Sequence, residues 1–200
     1  MRMGGRELSP WLLGMLQFGA VVLSAKFSFA LPGAAAPVSL QSFAVLASSA
    51  YVGDRVTALV LSSHLSASVA LLALHWRTIL TPRSWNTVGY IAGFLPAGVI
   101  LARYSDMSRG SGADSNTMSS RRWGLSKACC SALGWNFGLA LAGHVLILSA
   151  GASWLAIRGV RSVLQVGVWP FVPGMLVKSA LCAIVASAPK ACPAGAEESS

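Results

Sequence analysis

Gly167-Val168-Trp169-Pro170-Phe171-Val172-Pro173-Gly174-Met175-Leu176-Val177-Lys178 carries the only charge between Ser162 and Pro189. A charged side chain at the centre of a membrane helix costs roughly 2.5–3.5 kcal/mol on insertion scales, so a lysine kept there has a task. Pro173 and Gly174 are residues that open helices, which puts Lys178 about one turn inside the last one. A cation at that depth opposes the helix dipole. The unpaired N–H groups of the first turn and the ammonium would both favour an anion in the same place. The stretch therefore predicts a membrane helix that meets an anionic ligand near its start.

Composition agrees on the medium. Hydrophobic residues make up 54% of the chain and charged residues 10%, with a mean hydropathy of +0.64. Soluble domains carry about 25% charged residues. The net charge of +9 does not imply nucleic acid, because the basic residues fall in short loops between apolar runs. Crossing a hydrocarbon core of about 30 Å takes about 20 helical residues. Working back from the last span, Leu164–Ala188, the apolar runs are Ala128–Ile157, Thr87–Ala102, Val56–His75, Leu40–Val52 and Trp11–Leu31. The expected architecture is an all-α, polytopic membrane protein with six transmembrane helices.

Residues 1–10 read as a short cytoplasmic head, 11–189 as the membrane domain and 190–200 as a disordered tail. Ser105–Arg122, rich in Ser, Gly, Asp, Asn and Arg, reads as a flexible cytoplasmic connector. Six spans put both termini on one side. That side would hold Arg2, Arg6, Arg55, Arg103, Arg109, Arg121, Arg122, Lys127 and Lys190, against Lys26, Arg77, Arg83, Arg158 and Arg161 opposite. Nine against five places both termini in the cytoplasm and Lys178 near the outer face of a cell membrane.

No catalytic machinery is visible. All six acidic residues lie in loops or termini, so paired carboxylates are hard to build. Ser62-Ser63-His64 does not share a helix face, and no acid at that depth completes a triad. His64, His75 and His144 lack metal-ligand spacing and read as polar residues held within a bundle. Cys129, Cys130, Cys182 and Cys192 read as small apolar fillers. No enzyme, metal or cofactor is expected. Small residues carry more: Ala20 and Ser24 in the first span allow close helix approach, either within the bundle or to a partner subunit, and Gly93, Gly98, Gly143 and Gly151 could do the same.

Four segments together resemble one family. Leu31–Phe43, with Pro32, Pro37 and Ser39-Leu40-Gln41, resembles the proline-rich lead-in and Thr/Ser-Leu-Gln motif of BioY, the biotin-binding S components of energy-coupling factor (ECF) transporters. Thr87–Phe94 is similar to its Pro-Thr-Gly-Gly-Tyr-x-x-Gly-Phe, and Gly143–Ala156 is similar to its fifth helix. Gly167–Lys178 resembles Gly-Val-x-Pro-Phe-x-Pro-Gly-Asp-x-x-Lys. Met175 stands at that pattern's aspartate, Asn86 at its proline and Val88 at a glycine, and the loop around Arg77–Trp85 is shorter.

The resemblance implies a six-helix vitamin-capture subunit that binds biotin outside. It would release the vitamin inside when a transmembrane coupling protein and two ATPases engage. The chain has no phosphate-binding Gly-x-x-x-x-Gly-Lys-Ser/Thr loop, so ATP would be hydrolysed elsewhere. On this reading Lys178 meets the biotin carboxylate, and Asn86, Thr87, Tyr90, Gln41 and Met175 complete the ligand site. Ala20 and Ser24 would dock the coupling protein. A transporter subunit for another small carboxylate, or a non-enzymatic membrane scaffold, are the alternatives. The scaffold leaves Lys178 unexplained.

Overall fold

The computed structural model describes residues 2–3, 6–7, 9–29, 32–74, 85–110 and 121–187. Two-residue strands β1 (Arg2–Met3) and β2 (Arg6–Glu7) pair antiparallel, as do β3 (Ser28–Phe29) and β4 (Val38–Ser39). The remaining elements are helices: α1 (Pro10–Ser24), α2 (Gln41–Ser49), α3 (Asp54–Leu74), α4 (Val88–Gly110), α5 (Arg121–Ile157), α6 (Val163–Gly167) and α7 (Val172–Ser187). A 3-10 turn over Trp169–Phe171 joins the last two.

Among the described residues, Asp54–Leu74, Val88–Ser105, Leu133–Ile157 and Val163–Ser187 are long and apolar enough to cross a membrane, and Pro10–Ser24 is apolar but shorter. The helices follow the expected order, but boundaries move: the first run, expected over Trp11–Leu31, is helical only through Ser24, and Ser28–Phe29 is a strand. The second apolar run forms a helix of only 9 residues. At 1.5 Å per residue it rises about 14 Å, half of a bilayer core. Such a half-helix is tolerated where protein covers its ends, and Val45, Leu46, Ala47 and Ser49 are all buried. The last helix starts at Val172, not Gly174. Pro173 sits inside its first turn, where a missing N–H costs nothing, so Lys178 lies deeper in the helix than one turn.

The segment expected as a flexible connector is helical at both ends, since α4 continues through Ser105 to Gly110 and α5 begins at Arg121. The part from 111 to 120 lies outside the described residues. So do 75–84, with His75, Arg77 and Arg83, and the tail from 188, with Lys190 and Cys192.

Glycines set the helix spacing. A Cβ on Gly93 of α4 would lie 2.8 Å from the Ile147 Cα of α5, so the two backbones touch there. Gly98 faces Ser49 and Leu61, Gly143 faces Leu46, and Gly151 lies against the Tyr90 ring. These glycines pack the bundle itself. At the end of α5 the Val160 N–H reaches back to the Leu155 carbonyl (3.1 Å), with Gly159 at φ 71°. Only glycine takes that conformation cheaply, and it turns the chain back toward the bundle.

The core runs through Val21, Leu46, Leu61, Phe94, Ile147 and Leu155. The outside is also apolar, with Trp11, Met15, Leu59, Leu71 and Ile184 exposed. Lipid is the medium that suits such a surface.

Candidate functional site

The chain between α1 and α2 folds down onto the bundle instead of standing away from it. Ala34, Ala36 and Val38 are buried. The Ala35 N–H donates to the Val166 carbonyl of α6 (2.7 Å), and the Ala35 carbonyl accepts from the Asn86 side-chain amide (3.1 Å). The β3–β4 ribbon closes with the Leu40 N–H on the Phe27 carbonyl (3.1 Å). This loop roofs a cavity of about 170 Å³. Cavities of this order hold a benzene-sized ligand, so a small ring-bearing molecule fits better than a whole phospholipid.

The walls come from the C-terminal end of α1, the N-terminal ends of α2, α4 and α7, and the second half of α5. Ile91, Phe94, Ile147, Leu148 and Phe171 supply apolar surface; Gln41, Ser42, Thr87, Tyr90, His144 and Lys178 supply polar groups. Among the described residues, no Asp or Glu lines the cavity. The shape is that of a metabolite site: mostly apolar, with a few convergent polar groups.

Each polar group has a distinct state. The Lys178 ammonium donates to the Ser39 carbonyl (2.6 Å) and to the Ser42 hydroxyl (3.3 Å), reaching across from α7 to the start of α2. Both partners are neutral, and an ammonium has three donors. Among the described residues nothing compensates its charge, which is costly in an apolar wall unless an anion arrives. Gln41 and His64 pair through their Nε2 atoms (3.3 Å). The Tyr90 hydroxyl donates to the Gly167 carbonyl (2.7 Å), and its ring lies 5.5 Å from that of Phe171. Tyr90 thus fixes the end of α6 while its ring faces the cavity. The Nδ1 of His144 contacts the Ala140 carbonyl and the Ser179 hydroxyl, each at 3.0 Å.

Of the residues expected at a ligand, Lys178, Met175, Tyr90, Thr87 and Gln41 share this one cavity. Asn86 stands apart from them: it holds the roof through Ala35 and is not among the lining residues. The helix begins just after it, so its side chain turns toward the loop while Thr87 and Tyr90 turn inward. His144 and Ser42 were not expected here. The available signal was that His144 is a polar residue in the middle of a 30-residue run without formal charge, Ala128–Ile157.

On α1, Ala20 is exposed, and Ser24 is half-buried with its hydroxyl on the Val21 carbonyl of its own helix (2.8 Å). Gly14 takes the packing role instead, 3.0 Å from Val56 when given a Cβ, and Gly19 has nothing within 4 Å. The Ala20 face is open.

The sequence profile of the BioY family matches residues 7–193. No curated protein matches the chain. Among solved structures, the S-component for biotin from an ECF-type ABC transporter is similar, with a TM-score of 0.64, 15% identity and 95% of each chain covered. The likeness extends over the whole membrane domain.

Proposed function

The chain belongs to the BioY family, and we propose that it is the membrane subunit that captures biotin for an ATP-driven uptake system. The observation that carries this reading is the cavity: apolar walls, and, among the described residues, a single lysine whose positive charge meets no carboxylate in the lining. Biotin offers a bicyclic ring for the walls and a carboxylate for Lys178. Purified protein should bind radiolabelled biotin, competed by unlabelled biotin and not by an uncharged vitamin. Absence of saturable binding would remove biotin as the ligand and leave another small carboxylate to be tested.

Chain direction favours capture from outside. Helix α1 ends at the cavity and α7 begins there, so the cavity lies at the bundle end away from the start of α1 and the end of α7. With the basic bias of the loops, both termini face the cytoplasm and the cavity faces out. Reporter fusions at Ser200 and within 105–122 should report a cytoplasmic location; an external signal from either overturns this orientation.

Release inside requires energy from a coupling protein and two ATPases, and α1 is the proposed docking face. Ala20→Leu should depress uptake while biotin binding stays at the natural level, because the added bulk blocks a close helix crossing without entering the core. Equal loss of binding and uptake would place Ala20 in the bundle's own packing.

A further inference from the structure

His144 of α5 is 4% exposed and forms part of the cavity wall. Its Nδ1 lies 3.0 Å from the Ala140 carbonyl. A carbonyl oxygen only accepts, so that contact puts the ring proton on Nδ1. The Ser179 hydroxyl oxygen, at 3.0 Å from the same nitrogen, shares the proton as a second acceptor. With one proton on Nδ1, a neutral imidazole keeps a lone pair on Nε2, and that atom is buried with no hydrogen-bond partner among the described residues. Lys178 already brings a positive charge to this wall, and a second one beside it would be repelled. The neutral ring is the form that fits.

A buried acceptor without a donor is costly, and native structures rarely keep one without a reason. Three of the described polar groups of the wall are engaged elsewhere: Lys178 reaches to Ser39 and Ser42, Gln41 pairs with His64, and Tyr90 donates to Gly167. Met175, on the same wall, has no strong donor to offer. No described residue supplies the donor, and a molecule held in the cavity that His144 lines can bring one.

We infer that Nε2 of His144 accepts a hydrogen bond from an N–H of the captured molecule, so that the site selects a carboxylate that also carries an amide- or urea-type N–H. The inference rests on the biotin reading, in which the ureido ring supplies that donor. A ligand with a carboxylate and a purely apolar body would satisfy Lys178 and leave Nε2 orphaned. A site built to hydrogen-bond an N–H discriminates against an analogue that lacks it.

Biotin and its analogue methylated on both ureido nitrogens should be titrated into the natural protein and into His144→Leu. The variant should lose about tenfold in biotin affinity, the cost of one neutral hydrogen bond, and much less for the methylated analogue. Equal losses for both ligands, or none, overturn the inference while biotin capture stands. A natural protein that binds no biotin ends both. Nitrogen NMR of natural protein labelled in its histidine rings gives a test independent of the variant's folding. Without ligand, the His144 Nε2 signal should be that of an unprotonated ring nitrogen and should move on adding biotin. A protonated Nε2 overturns the assignment.

Discussion

Lys178→Ala should weaken biotin binding by about 2–3 kcal/mol, or roughly 30- to 150-fold in Kd, the range for losing a charge-assisted hydrogen bond to a buried partner. The reason is the state of the ammonium. It is held at 2.6 Å by the Ser39 carbonyl and at 3.3 Å by the Ser42 hydroxyl, two neutral oxygens that orient it without cancelling its charge. A lysine that had reached the membrane surface to escape the apolar core would not be tied this way. Because the same bonds link α7 to the start of α2, the substitution also loosens the roof. Biotin amide separates the two effects, since it keeps the shape and lacks the charge. Affinity for the acid should fall far more than affinity for the amide. Equal falls would mean that Lys178 only shapes the cavity, and unchanged binding of the acid in a folded variant would remove it from the site.

What the sequence reveals about this fold follows from the physics of the medium. Long apolar runs must be helices in lipid, and their order and number can be counted. Lys178 was visible because it is alone in its span, and Met175 because position 175 is three residues away, on the same helix face. Thr87 and Tyr90 stand in the same relation at the start of α4. Other features depend on how helices rotate and where they stop. Asn86 and Thr87 are neighbours in sequence, yet one ties the loop at Ala35 and the other lines the cavity. The start of α7 at Val172 follows from a 3-10 turn that carries the helical path through Pro170 and past Pro173, residues that read as a break. The short α2 ends before Gly53-Asp54, where α3 begins. His144 was hidden most thoroughly, because Ala140 is one turn below it but Ser179 comes from another helix.

The same wall sets the expectation for Met175→Asp. Residues 175 and 178 both line the cavity from α7, and 175 lies in its first turn, where a carboxylate is favoured by the helix dipole. The ureido ring of biotin has two N–H donors. His144 can take one; methionine accepts poorly, so the second lacks a partner of equal quality. The resembling pattern has an aspartate at this place, and restoring a carboxylate should tighten biotin binding by roughly 1–3 kcal/mol. The competing effect is electrostatic. The new carboxylate can claim the Lys178 ammonium and repel the ligand's own acid group, at an energy that at 4 Å runs from about 1 kcal/mol in water to about 4 kcal/mol near a protein surface. Which effect wins depends on whether the two ends of the ligand occupy separate parts of the cavity. If Lys178 holds the carboxylate while the ring lies toward α5, the new group meets the N–H and binding tightens. Calorimetry on the natural protein and the variant decides between them. Tight binding by the natural chain that weakens in Met175→Asp would show that this cavity has been rebuilt around methionine, with His144 as the acceptor that serves the ring.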